Sequence, residues 1–212
     1  MEVLQTLNSK RLLGNLVFGG GTMLRLCWGL NRFSVDLDFW LIKKTDPRGL
    51  FKGLKEHLQR SYTIRDAAIK FHTLLFEIKS PRYPRALKIE IRKELKNVAT
   101  AGAIAYSPHT SIQVILKTIT LEEMMKAKIE ALVDRKEIRD AFDIEFLFKK
   151  SIVLKASPQV LKNALTIIQG FTAKDYTVKL GSLLEASQRR YYASSHFKIL
   201  QSAINEQLAD KA

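Results

Sequence analysis

Two aspartates one residue apart, Asp36 and Asp38, follow a glycine-rich stretch, Phe18-Gly19-Gly20-Gly21-Thr22. On a strand, residues i and i+2 point to one face, so both carboxylates can converge on a single hard cation. The residues after them, Phe39-Trp40-Leu41-Ile42, are wholly apolar. A solvated strand edge would stay polar; this strand enters a core and leaves its aspartates at the rim. A strand-to-helix turn built of glycines lets backbone N–H groups approach an anion, and the helix N-terminus adds a favourable dipole. A Cβ there would block the approach. Ser34 stands two residues before Asp36 and shares its face if the strand begins there. Its hydroxyl can help hold a phosphate, or carry a modification whose charge opposes metal binding. A third carboxylate, Glu90, sits in Leu87-Lys88-Ile89-Glu90-Ile91-Arg92, where Lys88 and Arg92 share its face. That company suits either a salt-bridged surface or a phosphate site.

The elements that must position these groups can be read from periodicity. Leu16-Val17-Phe18 predicts a short strand, and Met23, Leu24, Leu26, Cys27 and Leu30 fall at helical spacing after the glycines. Residues 36–42 predict a strand. A helix is expected over 49–61 after the Asp46-Pro47 breaker, a strand over Ile69–Ile78, and another over 87–92. Residues 97–112 are small and polar and offer the best candidate boundary, followed by a short strand near 113–116. Thr120-Leu121-Glu122-Glu123 fits a capping box opening a helix to about Val133. Helices are expected near 137–149, 157–169, 173–187 and 190–208. The expectation is an α+β core over residues 1–116, a mixed sheet flanked by helices, and a C-terminal helical module over 117–212.

Composition bounds the partners. The 212 residues carry 35 Lys and Arg against 21 Asp and Glu, a net charge of +14, with 46% apolar residues. This is a globular composition, and its charge favours polyanions. Arg82, Arg85, Lys88, Arg92, Lys93 and Lys96 flank Glu90 and can guide an RNA backbone toward the carboxylates. Gln188-Arg189-Arg190-Tyr191-Tyr192 is basic and aromatic together; the tyrosines can stack on a base or pack between helices. The single cysteine, Cys27, excludes an internal disulfide and points to a reducing compartment. No secretory signal and no apolar run of membrane-spanning length is visible, so a cytoplasmic protein is expected. His57, His72, His109 and His196 show no metal-ligand spacing.

The order Gly-Gly-Thr, helix, Arg32-Phe33-Ser34-Val35-Asp36-Leu37-Asp38-Phe39 resembles the polymerase-beta-type nucleotidyltransferases, and more narrowly the AbiEii/MenT toxin family. The resemblance continues through Leu87–Ile91, Thr120–Lys128, Arg135 and Arg139-Asp140-Ala141-Phe142-Asp143. It covers roughly the first two thirds of the chain. Relatives carry more residues before the glycine turn, and many have Asp where Glu90 stands.

The resemblance implies that Gly20, Gly21 and Thr22, with Ser34 nearby, hold a triphosphate. It implies that Asp36 and Asp38 bind Mg²⁺ or Mn²⁺, with Glu90 as third ligand or as the base for the attacking hydroxyl. Lys128 matches a helix lysine that contacts nucleotide phosphate, with Lys126 a competing choice, and Asp140 matches a later aspartate that Asp143 can support. On spacing alone, Lys128 reads as a solvated lysine and Arg139-Asp140 as a dipole-complementing pair. The implied reaction transfers NMP from an NTP to an acceptor hydroxyl, a tRNA 3′ end, with release of pyrophosphate. The implied outcome is growth inhibition relieved by a cognate antitoxin. The alternatives are a nucleotidyltransferase acting on a small molecule such as an antibiotic, and a non-catalytic RNA- or partner-binding protein of the same fold.

Overall fold

The computed structural model describes residues 1–209; the end of the expected 117–212 segment lies outside them. The chain divides into two compact units, Met1–Gly29 with Ser34–Thr120, and Leu30–Phe33 with the residues from Leu121 onward.

The first unit is built on a seven-stranded mixed sheet, as an α+β chain requires. Its strands are β1 (Leu16–Gly19), β2 (Asp36–Leu41), β3 (Thr63–Ile69), β4 (Thr73–Lys79), β5 (Leu87–Leu95), β6 (Thr100–Ser107) and β7 (Thr110–Ile119). They lie in the order β3-β4-β5-β2-β1-β7-β6. The pairs β2–β5 and β1–β7 are parallel and the others antiparallel. Alternation along β2 buries Leu37, Phe39 and Leu41 and leaves Asp36, Asp38 and Trp40 half-buried on the other face. Phe18 packs on Phe39 with ring centroids 5.2 Å apart. Phe51 of α3 (Pro47–Leu58) stacks on Phe76 at 4.8 Å, so α3 covers the apolar face. Asp46 caps α3, accepting from the backbone N–H groups of Arg48 and Gly49, with Pro47 in the first turn.

Three expectations for this unit need correction. The run 69–78 is not one strand: Ile69 ends β3, Lys70 N–H donates to Thr73 O at 2.8 Å, and β4 begins at Thr73. Most of β3, Thr-Ile-Arg-Asp-Ala-Ala-Ile, lacks a β-type alternation because it is an edge strand with much of its length in solvent. The small polar stretch 97–112 holds β6 and the start of β7, whose ten residues exceed the short strand expected. Edge strand β6 buries few of its side chains, so burial never wrote a pattern into it. A helix α1 (Glu2–Ser9) was also not foreseen; it buries Val3, Leu4 and Leu7 at helical spacing.

The second unit is helical: α4 (Leu121–Arg135), α5 (Ile138–Lys149), α6 (Pro158–Gln169), α7 (Ala186–Ser195) and α8 (Lys198–Ala209). The expected helix 173–187 is a π-helical turn, Asp175–Leu180, running into a 3₁₀ turn, Gly181–Leu183. The expected helix 190–208 is broken at His196 and Phe197, whose φ angles are +48° and +57°. The buried Glu145 carboxylate holds that break. It accepts from Tyr192 Oη at 2.9 Å, from Lys149 Nζ at 2.6 Å and from Leu200 N–H, in the first turn of α8, at 3.3 Å. Among the described residues no helix is long and apolar enough to cross a membrane.

Candidate active site

The parallel register of β2 and β5 sets Asp36 beside Lys88 and Asp38 beside Glu90. Neighbours in register share a face and lie about 4.8 Å apart. Three carboxylates and one ammonium therefore form a compact patch. Lys88 Nζ reaches a Glu90 oxygen at 2.5 Å. The Lys88 ammonium is held above its ordinary pKa, first by this hydrogen bond, with further attraction from Glu90, Asp36 and Asp38 outweighing desolvation.

On the other side of Asp38 lies Gly19, its partner in the antiparallel β1–β2 register. The chain turns there into α2 (Gly20–Trp28). Gly20 has φ +75°, and a Cβ on it would stand 2.9 Å from Asp38 Cβ, so glycine is required twice over. No side chain caps α2, whose N-cap is Gly19. Its first-turn N–H groups, at Gly20, Gly21 and Thr22, lie beside the carboxylate patch, where a helix end can receive an anion. Thr22 is buried and donates to Ser34 Oγ at 2.9 Å, so the two hydroxyls expected near phosphate are tied to each other.

Among the described residues no group of three or more His, Cys, Asp and Glu stands ready to hold a metal ion. The chemistry of the patch is nevertheless of the kind a divalent cation takes. Its donors are hard carboxylates, and the Lys88 ammonium already serves them as a cation, drawing Glu90 to itself.

Lys128 and Asp140 lie in the second unit, within a buried ion cluster. Lys128, 6% exposed, sits 3.1 Å from Asp140 Oδ1 and 2.6 Å from Asp143 Oδ2. Arg32 grips Asp143 through Nε at 2.6 Å and Nη2 at 2.7 Å. Arg135 grips Asp140 the same way, both bonds at 2.7 Å. Planar guanidinium forks suit such two-point contacts. Burial would raise the Asp143 pKa, but Lys128 and Arg32 outweigh it and hold the carboxyl below the ordinary range. Desolvation likewise works against the Arg32 charge, and Asp143 outweighs it. Three cations meet two anions, so the cluster keeps one positive charge. Lys126, the competing lysine, pairs with Glu123 at 2.9 Å and is half-buried.

Sequence reasoning assigned no role to Arg32, although Arg32 stands four residues before Asp36. Its one signal was a lone arginine between an apolar helix and the acidic strand. Around Glu90, Arg82 pairs with Glu2 and Lys96 with Glu94, while Arg92 is exposed on the carboxylate face. The two tyrosines of α7 divide: Tyr192 is buried against Phe142 and Glu145, and Tyr191 is exposed.

A mixed sheet carrying a glycine turn beside paired strand carboxylates is the architecture of a nucleotidyltransferase. Solved structures that share the fold include the following three. A protein from H. pylori described as a nucleotidyltransferase superposes with a TM-score of 0.57 at 20% identity, covering 96% of this chain and 97% of that one. JHP933 from Helicobacter pylori gives 0.51 at 22%, covering 97% and 96%. MenT4, a nucleotidyltransferase toxin from Mycobacterium tuberculosis, gives 0.50 at 17%, covering 90% and 84%. The family model described as nucleotidyl transferase AbiEii toxin, type IV toxin–antitoxin system, matches residues 2–195, and the chain belongs to that family. A search of curated proteins returned no match.

Proposed function

We propose that the chain transfers NMP from an NTP to a hydroxyl at the 3′ end of an RNA, with tRNA the favoured acceptor. The observation that carries this reading is the register that sets Asp38 between Gly19 and Glu90, with Gly20 turning into α2 beside it. The first turn of α2 would bind the triphosphate through its N–H groups. Asp36 and Asp38 would hold Mg²⁺ or Mn²⁺, with Glu90 as third ligand or as proton acceptor. The metal would supply charge neutralisation at the entering and leaving oxygens.

In the transfer, the acceptor oxygen bonds to the α-phosphorus, the bond from that phosphorus to the bridging oxygen breaks, and pyrophosphate leaves. The acceptor proton goes to Glu90 or to water. Lys88 holds one Glu90 oxygen, so Glu90 would act through its other oxygen, or through both once Lys88 turns to substrate phosphate. Lys128, Asp140 and Asp143 would supply the buried charge of the second unit, with Arg32 and Arg135 positioning the two aspartates. The cationic surplus around Glu90 supports an RNA acceptor over a cationic antibiotic.

As a member of a toxin family, the chain would arrest growth in the cytoplasm and be opposed by an antitoxin. Incubation with each α-labelled NTP, Mg²⁺ and total tRNA tests the reaction, with Asp36→Ala as control. Label in tRNA from one NTP, absent in the variant, is the expected result. In parallel incubations with an aminoglycoside in place of tRNA, label there but not on RNA would support the small-molecule reading, and label in neither would support a binding module.

A further inference from the structure

The first unit contains a cavity of about 390 Å³ that shares Thr22 and Ser34 with the candidate site and none of its carboxylates. Its floor includes Leu37, Ile78 and Leu87. Leu37 lies between Asp36 and Asp38 on β2, Leu87 precedes Lys88 on β5, and Ile78 pairs with Leu87. Alternation therefore turns all three away from the carboxylates, so the cavity opens on the opposite face of the sheet. Its size falls within the roughly 300–1,000 Å³ of small-molecule sites, which are typically apolar with a few placed polar groups.

The walls specify the chemistry. Tyr62 and Tyr83 offer aromatic surface, and Arg25 and Arg85 offer positive charge. Arg85 is exposed and makes no ion pair among the described residues. The acid on the lining is Glu2, whose carboxylate is already taken by Arg82 at 2.8 and 2.9 Å. A ligand here meets apolar and aromatic surface together with two cations. The wall also includes Thr22 and Ser34, joined by their 2.9 Å hydrogen bond. Thr22 belongs to the first turn of α2, and Ser34 stands two residues before Asp36.

We propose that this cavity is a second ligand site, taking a planar aromatic anion of about nucleotide size, and that its occupant tunes nucleotide binding through the Thr22–Ser34 pair. The site itself stands on the cavity alone; the tuning rests on the catalytic reading above. An occupant pressing on either hydroxyl shifts both the phosphate turn and the approach to Asp36, and the coupling must be reciprocal.

The probe is 8-anilinonaphthalene-1-sulfonate, an aromatic anion, titrated into the full chain by fluorescence at fixed ionic strength. Saturable binding at one site is expected, weakened at least tenfold by Arg85→Glu and severalfold by Tyr83→Ala, both exposed positions that leave the core intact. Arg48→Glu, an exposed arginine on α3 away from the cavity, should leave the affinity unchanged. Non-saturable binding, or an equal loss in Arg85→Glu and Arg48→Glu, overturns the site, because it would mark general attraction to a basic protein. Asp36→Ala should bind the probe as the parent does; loss there would place the probe among the carboxylates and also overturns it. Saturating probe should shift the dissociation constant of a labelled NTP, measured by equilibrium dialysis with Mg²⁺, at least threefold. An NTP affinity that does not move overturns the tuning and leaves the site standing. If no transfer activity is ever found, probe binding still decides the site.

Discussion

The carboxylate patch of the first unit and the ion cluster of the second use the same chemical groups in opposite environments. In the patch, Asp36, Asp38 and Glu90 are half-buried with one ammonium among them, Lys88, whose side chain is 43% exposed. In the cluster, Asp140 and Asp143 are fully buried and each takes a two-point grip from an arginine plus a bond from Lys128. Water screens the patch, so its acids can exchange one cation for another at small cost. The cluster has no such freedom, since removing any partner strands a desolvated charge. Adaptable charge suits groups that must receive substrate; locked charge suits groups that must hold a geometry.

That contrast can be broken by mutation. Asp36→Ala should remove transfer, by about 10³-fold or more in kcat/KM, with a melting temperature near that of the parent. A large loss of stability would show that the patch is structural. Asp143→Ala should do the reverse, costing about 3–5 kcal/mol in urea unfolding because Lys128 and Arg32 lose their shared counter-ion. A loss under about 1 kcal/mol would mean that the cluster is open to water.

The cluster also has a pH signature. The Asp143 carboxyl is depressed on folding, so its contribution is present above its unfolded pKa and is lost as pH falls through the lower folded value. Acid unfolding below about pH 4 should therefore flatten in Asp143→Asn, followed by circular dichroism.

Gly20→Ala should cost about 1–3 kcal/mol from its positive φ and its collision with Asp38, and should weaken NTP binding further. Unchanged stability there would refute the close packing of turn and acid. The smallest expected effect belongs to Lys88→Met. Freed of the competing ammonium, the patch should bind Mn²⁺ severalfold tighter by calorimetry, without change in fold. Weaker Mn²⁺ binding would show that Lys88 organises the acids rather than competing for them.

What could be read in advance follows how local each signal is. Strands β2 and β5 announced themselves because one buried face forces a period of two within six residues. The glycine turn was legible because only glycine tolerates its conformation beside a carboxylate. Strands β3 and β6 were misread or missed because edge strands bury too little to impose a pattern. The break between α7 and α8 was hidden because the side chains holding it, Glu145 and Tyr192, lie 47 residues apart.

The sequence by itself determined the acidic pair, the glycine turn, the α+β order of elements and the family. Each depends on residue type at short spacing, where backbone geometry is nearly forced. Only the tertiary structure buried Lys128 against Asp140 and Asp143 and left Lys126, two residues earlier on the same helix, half-exposed on Glu123. It also paired Arg32 with Asp143 across 111 residues and set Lys88 on Glu90. Those outcomes depend on which charges become buried together, and desolvation is a property of the packed chain rather than of any stretch of it.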